Sequence, residues 1–409
     1  MISRVSIRNF RSIESADVDL APITVLYGPT ASGKSSLLYA TQVLRNFVLN
    51  PNRQADGYFH LGFMDLGGFD ACVFNHDANR QVSVSITSAD EGGNITYGLT
   101  FGKAKGTVEL EVAPASLMTA LVGGGTISLS AEIAIPYGMN QTFPFTWKAN
   151  DDQEYTINWT GIACNVVPKA APTTETLQKA QEIATLLNSS SEVLKGIDIA
   201  PHKRGFFKPN YTPTPASTTP TTEDEVASII INDPHLAGRI SVYTEEIFGR
   251  DFRLYQPPGT ATAFFQTTDK KSRIPVYLVN DGFGINQVIY LLAKMLRVDV
   301  NVILIEEPEV HLHPTVLRNF ARALCTFVRE EKRQVILATH SELFLCSLLA
   351  VVAEGNLQTD EIKCYLASKD KKSTSYKEQR VQQSGQIEGG LSAFVEAEIE
   401  DLKKFLGVK

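Results

Sequence analysis

The chain has 409 residues, of which 43% are hydrophobic and 20% are charged, with a formal net charge of -7. This length allows two or three domains of typical size, and the composition is that of a soluble globular protein with a substantial core. The acidic balance excludes a protein whose whole surface binds nucleic acid, although it leaves room for a local basic groove.

The first motif along the chain is a glycine-rich stretch that follows the apolar run Ile23 to Tyr27 and precedes a segment with helical apolar spacing. It matches G-x-x-x-x-G-K-[ST], in which backbone N–H groups surround phosphates at the start of a helix. The residues assigned to nucleotide binding are Gly28, Pro29, Thr30, Ala31, Ser32, Gly33, Lys34, Ser35 and Ser36. Lys34 is placed to reach the β- and γ-phosphates of ATP, and Ser35 to ligate Mg²⁺. A chance match is the alternative, and the predicted strand-loop-helix context argues against it.

A long middle region follows this motif. Between residues 80 and 160, short alternating runs broken by glycine-rich turns predict antiparallel β-structure. Residues 174 to 195 and 223 to 249 have helical spacing without heptads, so no long coiled coil is expected. A Pro/Thr-rich stretch, Pro209 to Thr222, predicts an exposed loop.

Five charged and aromatic residues between 203 and 208 form a small cluster, namely Lys203, Arg204, Phe206, Phe207 and Lys208. The cluster allows contact with nucleic acid or phosphate. The interpretation that we favour is packing of long side chains beside a loop, with their charged ends in water.

Acidic residues end a second apolar run, Asn301 to Ile305, which is typical of a buried parallel strand. In such sheets, ligands bind at the carboxyl ends of the strands. A phosphate-bound Mg²⁺ needs a carboxylate, and attack on a γ-phosphate needs a group that activates water. Glu306 fits the first role and Glu307 the second, whereas a solvated turn is the alternative interpretation of Glu-Glu-Pro-Glu.

Histidines mark the next two segments. His311 and His313 precede a proline-initiated helical pattern, and we favour a turn or interface role for them over metal binding. A further β-like run, Gln334 to Ala338, ends in Thr339-His340-Ser341. An imidazole at that strand end can donate a hydrogen bond to a γ-phosphate, so His340 is the candidate sensor.

These pieces together resemble the ABC-type ATPase heads of the SMC and RecF group, and more closely the stand-alone prokaryotic AAA-family ATPases (AAA_15 and AAA_21 types), many of them uncharacterised or tied to anti-phage defence. The segments that carry the resemblance are Ile7 to Ser12, Gly28 to Ser35, Ile199 to Arg204, Asp281 to Gln287, Ile303 to Glu309, His311 to Pro314, Ala338 to Ser341, Lys363 to Ser368 and Gln386 to Leu406. The implied fold is an α/β P-loop ABC-type ATPase head, a mixed sheet with helices on both faces, with an inserted antiparallel β and helical region and no long coiled coil.

The resemblance also implies a dimer in which two heads enclose ATP between the P-loop of one and the signature segment of the other. Asn280, Gly282 and Gly284 stand at the signature position, before a helical run from Ile285 to Leu296. A simple turn is the alternative for the two glycines. The sequence departs from the family pattern because the transporter motif Leu-Ser-Gly-Gly-Gln is absent, Glu306 replaces the usual aspartate, and no glutamine can be assigned to the Q-loop near Gly62 to Phe69.

The predicted domains are residues 1–79 and 272–358 as the two parts of the ATPase domain, 80–271 as an insertion with the loop 209–222, and 359–409 as a C-terminal extension. Five scattered cysteines without C-x-x-C spacing favour reduced thiols. No apolar run reaches the roughly 20 residues of a membrane span, and the N-terminus lacks a signal core. We therefore expect a cytoplasmic protein.

Three functions compete. The first is an ATPase, with Lys34, Glu307 and His340 as catalytic residues, that forms a homodimer or higher homo-oligomer and controls an effector protein in anti-phage defence or DNA maintenance; nucleic acid is left open as a partner. The second is an ATP-dependent nuclease of the overcoming-lysogenization-defect (OLD) type, disfavoured because no two-metal acidic cluster follows His340. The third is the ATP-binding subunit of a membrane transporter, disfavoured by the absent transporter motif.

Overall fold

The computed structural model describes residues 1–90, 93–114, 126–149, 153–170, 172–215, 217 and 219–388. The strands are β1 Ile2–Phe10, β2 Ile13–Asp19, β3 Ile23–Tyr27, β4 Val82–Asp90, β5 Gly93–Phe101, β6 Lys105–Pro114, β7 Ile127–Ala134, β8 Phe143–Lys148, β9 Glu154–Trp159, β10 Cys164–Pro168, β11 Ile197–Ala200, β12 Arg250–Tyr255, β13 Phe264–Asp269, β14 Pro275–Tyr277, β15 Val302–Glu306, β16 Gln334–Thr339, β17 Ile362–Asp370 and β18 Ser373–Gln379. The helices are α1 Lys34–Leu49, α2 Gly68–Cys72, α3 Thr174–Lys195, α4 Glu223–Asn232, α5 Pro234–Phe248, α6 Phe283–Met295, α7 Pro314–Glu330 and α8 Glu342–Ala353, with short 3-10 turns at Ala55–Phe59, Phe74–His76 and Leu278–Asn280. The predicted α/β class is confirmed. Of the tail segment Gln386 to Leu406, the part beyond residue 388 lies outside the described residues.

The chain divides into two compact units, each assembled from segments distant in sequence. The first unit comprises Met1–Leu20, Ser36–Ile197 and Lys369–Ser375. The second comprises Ala21–Ser35, Asp198–Ser368 and the chain from Tyr376. The domain boundaries predicted at residues 79, 271 and 358 stay predictions.

Antiparallel sheets dominate the first unit. One sheet has the order β2-β1-β4-β5-β6-β7, and a smaller one has the order β10-β9-β8. Alternate residues of β7 are buried, as expected for a strand with one face on a core and one in water. The predicted strands between residues 80 and 160 are present. Strand β1 also joins this sheet, with Val5 opposite Ile86 in an antiparallel register, which local sequence patterns did not indicate.

The second unit contains a sheet of order β11-β15-β16-β3-β17-β18, in which β15, β16, β3 and β17 are parallel to their neighbours in that series. Every residue of β3, β15 and β16 is buried, which explains why these strands are continuous apolar runs in the sequence. Glu306 pairs with Ala338, and Ala338 pairs with Leu26. The three carboxyl ends are therefore level, and the segments that follow them meet at one edge of the sheet.

The predicted helical stretch 223–249 consists of two helices, α4 and α5. The break falls at Asp233, whose carboxylate accepts a hydrogen bond 3.0 Å long from the backbone N–H of Leu236. Pro234 has no N–H to continue the hydrogen bonds of α4, and it is well suited to the first turn of a new helix. The two signals together end one helix and begin the next.

Helix lengths in the described part of the chain are modest. The longest helix there, α3, has 22 residues, so no extended coiled-coil arm is present in that part. Among the same residues, no helix combines the length and apolar character needed to cross a membrane.

Replacing Leu304 by alanine should destabilise the second unit, because this side chain is fully buried in β15. A Leu→Ala change in a core costs about 2–5 kcal/mol, from lost burial and the cavity left behind. Urea denaturation monitored by far-UV circular dichroism measures the loss in the free energy of unfolding. Val298→Ala is the matched control, because Val298 is exposed and its truncation should leave the midpoint nearly unchanged.

Candidate functional site: a nucleotide-binding edge of the parallel sheet

The glycine-rich loop between β3 and α1 has backbone angles that ordinary residues rarely adopt. Gly28 has φ of 139°, Gly33 has φ of 93° and Ala31 has φ of 63°. A Cβ on Gly28 would lie 2.4 Å from the carbonyl oxygen of Ala367, a distance no real side chain tolerates. The phenolic O–H of Tyr376 donates to the carbonyl of Gly33 at 2.7 Å. Strand neighbours thus hold the loop in a curled shape suited to anions.

The remaining loop residues divide by exposure. Pro29, Thr30 and Ala31 are exposed at the tip, Ser32 and Ser36 are buried, and Gly33 and Ser35 are half-buried. The loop therefore presents its tip to solvent and its serines to the protein.

Lys34 is buried at the start of α1. Its ammonium group donates to the carbonyl oxygens of Gly28 at 2.9 Å and Pro29 at 2.8 Å, so it lies across the mouth of the loop. Burial lowers the pKa of Lys34, and the negative charges of Glu307 and Glu309 oppose that shift. The lysine and the acidic turn after β15 thus lie within electrostatic reach of one another.

The acidic turn begins at the last residue of β15. Glu306 is buried, and Glu307 follows it with a left-handed φ of 44°. Such a conformation is uncommon for a residue with a side chain and persists only where the surroundings enforce it. The N–H of Glu307 donates to the carbonyl of Ala338 at 2.8 Å, which ties the turn to β16. The Glu307 side chain is left partly exposed at the sheet edge.

Arg204 holds this turn in place by donating hydrogen bonds to its backbone carbonyls. Its guanidinium donates to the carbonyls of Pro201 at 2.8 Å, Glu306 at 2.7 Å and Glu307 at 2.9 Å, and the residue is only 3% exposed. Burial lowers the pKa of Arg204 to about 10, while nearby carboxylates including Glu309 hold it up. The group is therefore charged at neutral pH. The interpretation of Arg204 as a surface cation with its head in water was wrong, because the guanidinium is buried against backbone carbonyls.

Glu309 is a site residue to which the sequence assigned no role. One carboxylate oxygen, Oε1, accepts from the Thr339 hydroxyl at 2.7 Å and from the His340 N–H at 3.3 Å. The other, Oε2, is buried and has no hydrogen-bond partner among the described residues. A buried carboxylate oxygen without a partner is costly unless a ligand or ion satisfies it. Its signal in the sequence was the third acid of Glu-Glu-Pro-Glu.

His340 lies beside Glu307 and Glu309 of the acidic turn. Its Nδ1 is 3.3 Å from Glu307 Oε1 and 3.9 Å from Glu309 Oε1, and the ring is exposed. The strand β16, which ends one residue before His340, lies between β3, which leads to the P-loop, and β15, which ends at Glu306. The imidazole is consequently positioned between the two predicted halves of the site.

Oxygen ligands for Mg²⁺ are available at this edge. The described residues contain no group of three or more His, Cys, Asp or Glu side chains that could hold a metal alone. A triphosphate-bound Mg²⁺ does not need one, since it takes one or two carboxylates together with phosphate oxygens and water. The buried carboxylate of Glu306 and the unsatisfied Oε2 of Glu309 fit that chemistry. His202 also approaches, with Nδ1 3.8 Å from Glu306 Oε2.

The predicted signature segment, Asn280 to Gly284, also lies in the second unit. Arg250 donates twice to the Asp281 carboxylate, at 2.8 and 2.7 Å, and the Thr267 hydroxyl donates to it as well. Gly282 is the N-cap residue before α6 and provides no side-chain cap. Asn280 and Gly282 are exposed, as is 59% of Phe283. The predicted helix is therefore present, with uncapped N–H groups at its open end.

Gly284 and the histidines pack against one another. A Cβ on Gly284 would lie 2.6 Å from the carbonyl of His311, so only glycine allows this approach. The His311 ring is 5.6 Å from that of Phe283, and His313 accepts from the N–H of Thr315 at the start of α7. These contacts are those of a turn and a helix cap.

One side chain connects the signature helix to the acidic turn. Asn286 of α6 accepts from the N–H of Phe206 at 2.7 Å and donates to its carbonyl at 2.8 Å. Phe206 is two residues from Arg204, which holds Glu306 and Glu307. Asn286 therefore ties α6 by hydrogen bonds to the backbone segment that carries Arg204.

A buried parallel sheet with a glycine-rich loop, a lysine, acids and a histidine at its carboxyl edge defines the P-loop nucleotide-binding class of α/β protein. Within that class, the AAA_15 family model, an AAA ATPase domain, matches residues 1–87 and 173–345. The chain belongs to this family, and membership implies nucleotide binding. The strands between residues 88 and 172 lie outside the matched ranges.

Individual relatives are more distant. An OLD nuclease from Thermus scotoductus (strain ATCC 700910 / SA-01) is 36% identical over 67 residues, which are 15% of this chain and 13% of the nuclease. Among solved structures, the SMC head domain from Thermotoga maritima is 11% identical, with 93% of this chain and 99% of that chain covered and a TM-score of 0.44. An Smc head domain bound to the C-terminal domain of ScpA, from Pyrococcus furiosus, is 10% identical, with 99% of each chain covered and a TM-score of 0.44. Similarity at that level carries no argument about activity or partners.

Gly28→Ala should abolish ATP binding and lower stability, because its Cβ would collide with the Ala367 carbonyl and φ is 139°. Isothermal titration with a non-hydrolysable ATP analogue and a thermal melt measure the two effects. Gly238→Ala is the control: Gly238 lies within α5 with open space around it, so alanine should stabilise by about 0.5–1 kcal/mol. Normal ATP affinity in Gly28→Ala would contradict the prediction that ATP binding requires the backbone geometry of Gly28.

Arg204→Met should lower ATP turnover at least tenfold while changing ATP affinity much less, because the variant releases the Glu307 turn and leaves the P-loop intact. Loss of hydrogen bonds from a charged donor to buried carbonyls costs about 1.5–3 kcal/mol. Steady-state kinetics compared with nucleotide titration separates the two effects. Lys203→Met, at the adjacent exposed cation, is the control, and equal turnover in the two variants would contradict a positioning role.

Proposed function

We propose that this protein is an SMC-like ABC-type ATPase that hydrolyses ATP and works as a nucleotide-gated dimeric switch, controlling an effector protein in anti-phage defence or DNA maintenance. The single observation that carries the ATPase proposal is the convergence of Lys34, Glu307, Glu309 and His340 at one sheet edge. The biological setting rests on the family resemblance of its motifs.

In the proposed reaction, the loop N–H groups and the Lys34 ammonium bind the triphosphate, with Lys34 exchanging its contacts to Gly28 and Pro29 for phosphate oxygens. Ser35 and Glu306 would hold Mg²⁺, whose charge would neutralise that of the phosphates. Glu307 accepts the proton of the attacking water, since its carboxylate is the exposed acid of the turn. His340 donates a hydrogen bond towards the γ-phosphate and is oriented by the two acids beside it.

A second copy of the chain completes the pocket in this proposal. The N-terminus of α6 is open, uncapped and flanked by the exposed Phe283. Such a helix end favours anions through its free N–H groups and its dipole. We infer that it contacts the γ-phosphate bound to the partner copy, and that Asn286, Phe206 and Arg204 pass the contact to Glu307.

Glu307→Gln should bind ATP, accumulate a dimer and reduce turnover at least a hundredfold, because the amide cannot accept the proton of water. Lys34→Ala should lose ATP binding. Phosphate release and light scattering after size exclusion measure turnover and dimer formation. A Glu307→Gln protein with unchanged turnover would force reassignment of the base.

A mixing experiment tests the shared pocket. Gly282→Asp places a carboxylate where the partner's phosphate should bind, yet aspartate is a favourable N-cap, so the fold should stay stable. Alone, Lys34→Ala and Gly282→Asp should each be inactive, but their mixture should recover part of the turnover, since mixed dimers contain one intact pocket. Gly282→Ala, which has open space around it, is the matched control and should stay active. No recovery on mixing would argue for a self-contained site.

A nuclease is the second candidate, favoured by the 36% identity to part of the OLD nuclease. Incubation of the protein with supercoiled plasmid, ATP and Mg²⁺ or Mn²⁺ tests it directly. Nicking that survives in Lys34→Ala would assign a second active site beyond the ATPase edge.

A further inference from the structure

Strands β12, β13 and β14 form a small antiparallel sheet in the second unit, and one of its faces is turned to solvent. Phe252, Phe265 and Thr267 are buried on the inner face. The register sets Arg253 opposite Gln266, Gln266 opposite Tyr277, and Tyr255 opposite Phe264. Because side chains alternate along a strand, the outward positions, here called the outer face, are Asp251, Arg253, Tyr255, Phe264, Gln266, Thr268, Pro275 and Tyr277.

Three aromatic rings cross the outer face side by side. The ring of Phe264 lies 6.1 Å from that of Tyr255 and 5.5 Å from that of Tyr277, centroid to centroid. Tyr255 is 46% exposed and Tyr277 is 40% exposed. Large aromatic side chains are normally buried, so a contiguous exposed row of them indicates a binding surface.

The charge around these rings is opposite to that of the chain as a whole. Residues 250–277 include five basic side chains (Arg250, Arg253, Lys270, Lys271 and Arg273) and two acidic ones (Asp251 and Asp269), in a chain of net charge -7. Arg250 is paired with Asp281 and Lys270 with Glu245, so Arg253, Lys271 and Arg273 are the basic side chains that remain for a ligand. The Arg253 side chain is 66% exposed and lies opposite Gln266, two residues before Tyr255 on β12, and Lys271 and Arg273 are exposed in the turn from β13 to β14. Asp251, the acidic residue among the outward strand positions, is partly covered and lies 3.5 Å from Arg253.

We propose that the outer face binds single-stranded nucleic acid, with bases on Tyr255, Phe264 and Tyr277 and phosphates at Arg253, Lys271 and Arg273. Aromatic rings spaced along a basic surface stack on unpaired bases, and the cations follow the backbone. A duplex hides its base faces and would use only the cations. An apolar peptide would use the rings but gain nothing from three exposed cations.

The same sheet holds the signature segment, which gives the bound strand a route to the ATPase. Arg250 begins β12 and Thr267 lies in β13, and both donate to the carboxylate of Asp281, next to Gly282. A ligand that stiffens the sheet therefore steadies the start of α6. This step rests on the proposed function: single-stranded nucleic acid should raise ATP turnover by favouring the dimer.

The test measures fluorescence anisotropy of labelled oligothymidine and oligouridine of about 15 nucleotides, without ATP, at several salt concentrations. The wild-type protein should bind at least one of them, and binding should weaken as salt rises. Tyr255→Ala with Tyr277→Ala should weaken binding at least tenfold, whereas Tyr255→Phe with Tyr277→Phe should retain it. Arg253→Ala should weaken binding and flatten the salt dependence. Val242→Ala, at an exposed apolar position on α5, is the control and should bind normally.

Thermal melts of each variant confirm folding. Binding that is retained in the Tyr→Phe double variant but weakened in the double alanine variant separates base stacking from a general loss of structure. Absence of oligonucleotide binding by the wild-type protein, or equal binding by the double alanine variant, would overturn the proposal. Duplex binding that is equally tight and unaffected by substitution of both tyrosines would also overturn the proposal. So would a protein dimer that forms without oligonucleotide and depends on the three rings. Lys34→Ala should still bind oligonucleotide. A wild-type protein that binds oligonucleotide but hydrolyses no ATP would contradict the proposed function alone.

Discussion

A single buried guanidinium supports the geometry of the nucleotide-binding edge. Arg204 reaches three backbone carbonyls, two of them at the junction of Glu306 and Glu307, where φ turns positive. Removing this charge from water is expensive, and the hydrogen bonds to backbone carbonyls together with the charge of nearby carboxylates offset the cost. The acidic turn therefore keeps the strained backbone conformation at Glu307, whose side chain is left partly exposed at the sheet edge. Backbone strain of this kind persists only when the surrounding structure over-determines it.

Opposite charges at the sheet edge balance one another. Lys34 is held by loop carbonyls and lies in the field of Glu307 and Glu309, while His340 is placed between the strands of the loop and the acids. Each group has at least one partner of opposite charge or polarity within the protein. An incoming triphosphate would exchange these internal contacts for contacts with phosphate, so the edge is prepared for a highly charged ligand.

Two surfaces of the second unit connect to this edge through hydrogen bonds. The signature helix is tied to the Arg204 segment by Asn286, and the three-stranded sheet is tied to the signature segment by Arg250 and Asp281. The connections are short and involve buried or partly buried polar pairs, which are costly to break. The proposed coupling of the open helix end to Glu307, and of an outer-face ligand to the ATPase, uses these contacts.

The sequence by itself determined the α/β class, the ATPase family and the chain order of the motifs, because glycine spacing, apolar runs and the residues that end them are local patterns. Tertiary structure decided the rest. The pairing of β1 with β4, the burial of Arg204 behind Glu307, the contact of Glu309 with Thr339 and the alignment of Tyr255, Phe264 and Tyr277 all join residues distant in the chain. Local periodicity contains no information about such pairs. Arg204 in particular looks like a surface cation in sequence, and only its three buried carbonyl partners define it as a core residue.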